Sequence, residues 1–224
     1  MGGMVGRVLT AVLADLLTWR SAVSVIAAFG LLAAALVWSV LPGSTRFRAR
    51  PMDPSALIAT YLRQLRDPIL GLLYAEGFIF MGAFIAIFNY IAFHLLAPPY
   101  ALSQATTGAI FLLYIVGMIS SPWAGSLAHR IGHARTLTLN LVLMLAGVAL
   151  TMAVPLVAIV AGVALLTFGF FAAHAVISSW VSQRGGASKA QASSLYLSLY
   201  YLGASIVGAL TGLVFERFGG NGAA

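Results

Sequence analysis

The chain has 224 residues, of which 61% are hydrophobic and 8% charged, against roughly 25% charged in an ordinary soluble domain. So little charge cannot cover a water-facing surface, and the formal net charge of +7 sits in short segments beside apolar runs, which argues against a nucleic-acid module and for a membrane protein. There is no cysteine, hence neither a disulfide framework nor a thiolate metal site.

A run of about 20 apolar residues crosses the hydrocarbon core as a helix, since about 1.5 Å of rise per residue must cover roughly 30 Å. The opening stretch, residues 2–17, is apolar but short, and reads as the second half of a span. It lacks a basic leader followed by a clean apolar core, so it does not read as a signal peptide. Full spans are expected at residues 21–41, 68–96, 105–127, 137–154, 156–181 and 192–215. Between the first two lies a long basic connection with a short amphipathic stretch at 55–65, suited to the membrane interface. Pro155 separates two spans as a tight turn, because proline ends a helix at the residue before it. Ten-residue alternating segments of a membrane β-barrel are absent, so the expected fold is an all-α polytopic bundle.

The basic residues fall in every other gap. Arg46, Arg48, Arg50, Arg63 and Arg66 precede the second full span, Arg130 and Arg135 lie between the third and fourth, and Arg184 and Lys189 lie between the fifth and sixth. Basic loops stay on the cytoplasmic side, so these three connections are inside, and the uncharged ones around 97–103 and Pro155 are outside. Arg20 and Arg217 are then external and Arg7 lies within the membrane.

Two segments hint at an internal repeat: Val5-Gly6, Leu9-Thr10 and Asp15, against Val207-Gly208, Leu210-Thr211 and Glu216. Duplicated helix bundles of this kind are a feature of transporter folds. The inner turn from Gly125 to Arg135 reads Gly-Ser-Leu-Ala-His-Arg-Ile-Gly-His-Ala-Arg. It resembles the G-x-L-A-D-R-x-G-R-K loop of the major facilitator superfamily, in the degraded copy found between the eighth and ninth helices, with His129 at the acidic position and His133 at a basic one. Further stretches similar to inner-membrane transporters of the drug:proton antiporter kind are Ala75-Glu76-Gly77-Phe78, Phe88-Asn89-Tyr90-Ile91, Phe170 to His174 and Gln191 to Tyr196. The resemblance implies an incomplete major facilitator fold: residues 1–42 as the fifth and sixth helices, 43–67 as the cytoplasmic central loop, and 68–224 as the seventh to eleventh helices. It also implies a location in the inner membrane. Only the closing Gly-Gly of the fifth-helix antiporter motif is present, which weakens the efflux assignment.

Helical rise places the candidate working residues. Glu76 lies about 13 Å into its span, near the midplane of a roughly 30 Å core, and His174 and Tyr200 lie at a similar depth, as does Arg7. Substrate and coupling-ion sites of transporters lie near the midplane. An ionisable residue costs several kcal/mol in lipid unless it faces a cavity or a bundle interior, so Glu76 is the strongest candidate for taking up and releasing a proton. The alternative is a glutamate bonded to a neighbouring helix. His174, whose unperturbed pKa of about 6.5 is in the working range, is the candidate relay, or else a satisfied hydrogen-bond partner.

Arg7, Ser178, Tyr196 and Tyr200 complete the expected pathway, with Asn89 and Tyr90 nearer the outer mouth. Gly125, Arg130, Gly132 and Arg135 form the loop motif, whose glycines permit a turn and whose arginines reach helix C-termini or headgroups. GxxxG spacings at Gly2 and Gly6 and at Gly208 and Gly212 permit close helix approach.

His129 and His133 have no third ligand nearby, so no metal is expected, and no cofactor is implied. His174 and Ser178 share a helix face, but no G-x-S-x-G element supports a hydrolase, and an enzyme is not expected. The expected function is proton-coupled efflux of a small molecule by alternating access. Its expected partners are the substrate, protons and the lipid bilayer, with no nucleic acid. The alternative is a transport-inactive fragment that needs a missing N-terminal half.

Overall fold

The computed structural model describes residues 18–41 and 53–218, and before them residues 6, 9, 10, 12 and 13. All regular structure among the described residues is helical: α1 (Trp19–Val40), α2 (Pro54–Arg66), α3 (Pro68–Leu96), α4 (Gln104–Gly108), α5 (Tyr114–Ile131), α6 (His133–Thr151), α7 (Leu156–Gly185) and α8 (Lys189–Phe218). Arg7, Arg46, Arg48 and Arg50, Gly2 and most of the opening segment lie outside the described residues, as does the side chain of Glu216.

The chain forms two compact units. The first comprises Met1–Pro54 and Leu95–Leu112. Within it α1 starts at an N-cap, where Thr18 Oγ1 accepts from the Ser21 amide at 3.4 Å, and its 22 residues are long enough to cross a bilayer. Its large side chains are exposed, Trp38 at 91%, Leu31 at 73% and Leu36 at 63% among them, a surface that only lipid or another protein surface can cover favourably. Ser103 caps α4 in the same way, its Oγ accepting from the Thr106 amide at 3.1 Å.

The expected span at 105–127 is not one regular helix. It passes through a 3-10 turn, Ala109–Leu113, before α5 begins. Thr106, Thr107 and Gly108 immediately precede that turn, and β-branched residues and glycine hold an α-helix poorly.

The second unit comprises Ser55–His94 and Leu113–Ala224. Its centre is α7, buried at Val163, Leu166, Phe170, Ala173, Val176 and Ile177 because it packs against α5, α6 and α8. An apolar 58-residue stretch, Leu156–Leu213, is folded into α7 and α8 by the short 3-10 turn Gly186–Ser188. Side chains thirty residues apart at the middle of this pair meet, Phe170 against Tyr200, and nearer the turn His174 meets Tyr196, as an antiparallel hairpin requires.

The connections that carry the basic residues are shorter than the sequence suggests. Between α5 and α6 only Gly132 breaks the helix, at φ 90° and ψ 156°, a conformation that needs glycine. Gly125 lies inside α5 with nothing near its Cβ direction, so of the two motif glycines assigned to the turn it is Gly132 that makes it. Arg130 and Arg135 flank that residue and are exposed.

The start of α3 is set by Asp67-Pro68. Asp67 Oδ1 accepts from the Ile69 and Leu70 amides at 2.9 and 3.1 Å, while proline at the first helical position gives up an amide that would have had no partner. α3 runs beside α8 and comes close enough at Gly203 that a Cβ there would collide with the Phe78 carbonyl. Neither Gly208, whose Cβ would lie an ordinary 3.5 Å from Ile85, nor Gly212 makes this crossing, so the GxxxG spacing does not mark the tight contact.

Candidate functional site

Glu76 sits eight residues past Pro68, about 12 Å along α3. It is half-buried, and its Oε2 is buried with no hydrogen-bond partner. The side chain lines a cavity of about 190 Å³ shared with Leu72 of α3, Leu137, Thr138 and Leu141 of α6, and Trp180 of α7. On the basic-loop side of that cavity the His133 ring stacks on Trp180, with centroids 5.3 Å apart. An ionised carboxylate away from water and without a partner is costly, so the arrangement favours whatever neutralises it, a proton or a cation.

His174, on α7, is differently placed. Its Nδ1 is 2.9 Å from Tyr196 Oη of α8, and its ring lies 4.8 Å from that of Tyr200. Phe170 stacks on Phe84 of α3 at 3.9 Å, and Tyr114 of α5 and Phe171 close the cluster from the other side. Tyr196 is 1% exposed and Tyr200 8%, so these tyrosines are packed into the bundle. The two sites touch at Gly77, the residue after Glu76, where a Cβ would strike the Tyr196 ring.

The structure therefore brings His174, Tyr196 and Tyr200 together, with Ser178 half-buried one turn from His174 on α7. Glu76 is level with them but opens into the separate cavity against α6. Arg7 lies outside the described residues. Asn89 and Tyr90, both exposed, line a groove of about 90 Å³ with Gly208, Thr211 and Gly212 of α8, toward the uncharged-loop end of α3.

Sequence reasoning missed Trp180 and the α6 wall of the Glu76 cavity. Depth along a span does not say which side chains of α6 and α7 turn toward α3. It also missed Asn140, which is 0% exposed with both amide atoms unpartnered. An asparagine in an otherwise apolar run was the available signal.

Long apolar helices packed about a buried α7, with an ionisable side chain at mid-depth, define an integral membrane protein of the polytopic helical class. Residues 1–208 match the family model described as Major Facilitator Superfamily. The chain belongs to that superfamily of transporters, as its inner-turn motif suggested.

Among curated proteins, "Inner membrane transport protein YnfM" of Escherichia coli (strain K12) is 45% identical over 222 residues, covering 99% of this chain and 53% of that protein. "Uncharacterized MFS-type transporter YybF" of Bacillus subtilis (strain 168) is 38% identical over 97% of this chain and 54% of its own length. "Uncharacterized transporter BU588" of Buchnera aphidicola subsp. Acyrthosiphon pisum is 40% identical over 95% of this chain and 52% of its own. The chain thus spans about half the length of the curated relatives it matches. No solved structure matches it significantly.

Proposed function

We propose that the protein takes part in proton-coupled transport of a small molecule across the cytoplasmic (inner) membrane, by alternating access, in the direction of efflux. Glu76 is the proton carrier. The observation that carries this reading is its buried, unpartnered Oε2 beside a cavity in the membrane-spanning part of the bundle. Such a carboxyl accepts a proton when closed off and gives it up when water or a cationic group reaches it. His174, bonded to Tyr196, is the neighbouring relay, and Tyr200, Ser178, Asn89, Tyr90 and Arg7 are assigned to the pathway. A relative named as an inner membrane transport protein supports the location.

The test is proton flux coupled to substrate movement in vesicles containing the protein. Glu76→Gln is expected to abolish the coupled component while leaving insertion and fold intact. Coupled flux equal to that of the unsubstituted protein would remove Glu76 from the role.

A second reading is that this chain transports nothing alone and works only with an N-terminal half, and it rests on the coverage of about half of each relative. Co-expression with the N-terminal half of such a relative distinguishes the two. Flux from the chain alone supports the first, and flux that appears only with the added half supports the second.

A further inference from the structure

α2 is turned the wrong way round for a helix in water. Its residues 57, 60, 61 and 64 fall at i, i+3, i+4 and i+7, and these are its less exposed positions, with Gln64 only 5% exposed. That face is mostly polar and is tied to the α7–α8 turn: Gln64 Nε2 donates to the Ser188 carbonyl at 3.3 Å, and Tyr61 Oη lies 3.4 Å from Ser194 Oγ. The outward stripe is apolar. Ile58, Leu62 and Leu65, at i, i+4 and i+7, are 59%, 48% and 50% exposed. A helix covered by water would do the reverse, so the stripe meets an apolar phase.

Charge identifies which phase. α2 carries Arg63 and Arg66 in its last turn, both exposed, and no acidic residue. The neighbouring carboxylate, Asp67, is taken up by Arg184, whose Nε reaches both oxygens at 2.9 and 3.0 Å. Behind the helix lies a cavity of about 340 Å³ lined by Arg63, Gln64, Asp67, Leu70, Arg184 and Ser188. Its two arginines against one aspartate leave one net positive charge, matching a single phosphodiester. Its volume is in the range of about 300–1,000 Å³ that small-ligand sites occupy. On the basic-loop side, then, one flank of α2 borders a basic pocket suited to a headgroup phosphate, and the other carries an apolar stripe suited to acyl chains.

We propose that the cavity behind α2 seats the phosphate of an anionic phospholipid of the cytoplasmic leaflet at Arg63, while the stripe of Ile58, Leu62 and Leu65 on the other flank of α2 rests among the acyl chains of that leaflet. The bound lipid then braces the α2–α3 junction against the α7–α8 turn. This assignment does not depend on the transport reaction.

The chain has no cysteine, so Leu62→Cys gives a unique site for a nitroxide label in the full-length protein. In phosphatidylglycerol vesicles that label is expected to be relaxed by oxygen in preference to a water-soluble nickel complex, whereas a label at Ala56→Cys, exposed on the flank of α2 away from the stripe, shows the opposite preference. Native mass spectrometry should find phosphatidylglycerol retained over phosphatidylcholine of the same chains. Arg63→Gln with Arg66→Gln should weaken that retention by roughly tenfold or more, as expected for two arginines near an anionic surface.

Equal retention of the two lipids, unchanged retention in the double variant, or a nickel-accessible label at position 62 would each overturn the proposal. Displacement of the lipid by millimolar inorganic phosphate would overturn it too, in favour of a soluble anion. The labelling result stands without the double variant, so poor folding of the latter would not shield the proposal.

Discussion

Glu76 and His174 are neighbours in depth and opposites in environment. His174 has a partner at 2.9 Å in Tyr196 and lies among packed rings, whereas Glu76 has an oxygen with no partner and a cavity beside it. A satisfied polar pair in a dense core fixes helix positions, while an unsatisfied one next to open space responds to whatever enters. The comparison teaches that depth in the membrane nominates residues, but only the surroundings separate a polar group satisfied within the bundle from one left without a partner beside a cavity.

The sharpest way to break this comparison is to fill the cavity without touching the carboxyl. Ala134 borders it and is exposed, so Ala134→Phe is expected to reduce coupled flux to the level of Glu76→Gln while the thermal unfolding temperature changes little. Full coupled flux in that variant would show that the cavity is incidental.

Next in size is the crossing that holds the two sites side by side. Gly203→Ala places a methyl against the Phe78 carbonyl and is expected to destabilise the bundle by about 1–3 kcal/mol, read from thermal unfolding in detergent. An unchanged transition would mean that α3 and α8 are free to separate.

Tyr196→Phe is a smaller change. Losing the hydrogen bond to His174 should cost about 1 kcal/mol of stability. If His174 is a relay through this bond, the pH profile of transport shifts as well; a stability change with an unmoved profile would leave His174 a purely structural residue.

The smallest effect is at the basic-loop end of the bundle. Arg184 foremost, helped by the Ile69 and Leu70 amides, holds the Asp67 carboxyl below the usual carboxylate range. Because the folded state has the lower value, its stabilisation is present above the unfolded value, near pH 4, and is lost as pH falls through the folded one. The pair is partly exposed, at 37% and 28%, so a contribution of no more than about 1 kcal/mol is expected. Hydrogen exchange at the start of α3 should therefore be flat from pH 7 to 5 after correction for intrinsic rates, and protection should fall only in stronger acid.

Much of the fold was legible because lipid imposes a one-dimensional rule. Residues 68–96 were expected as a span and form α3 with those limits, whereas α6 ends at Thr151, before Pro155 could stop it, and Pro155 instead stands at the N-cap of α7. The interruption at Ala109–Leu113 was not legible, since average hydropathy is blind to whether an apolar stretch winds as an α-helix or a 3-10 helix. At the candidate site, Glu76 and His174 stood out as polar residues in apolar runs. Their different partners did not, because side chains on separate helices meet only through the packing of α3, α7 and α8.

By itself, then, the sequence determined that this is a membrane-spanning helical chain, where most of its helices run, and which family it belongs to. Those properties follow from apolar length, basic loops and a local turn motif, all of which are written in consecutive residues. Only the tertiary structure decided that Glu76 opens toward α6 and Trp180, that Gly203 makes the tight crossing, and that α2 turns its apolar stripe outward. Each of those depends on the rotation of one helix against another, which hydropathy leaves free and side-chain packing fixes.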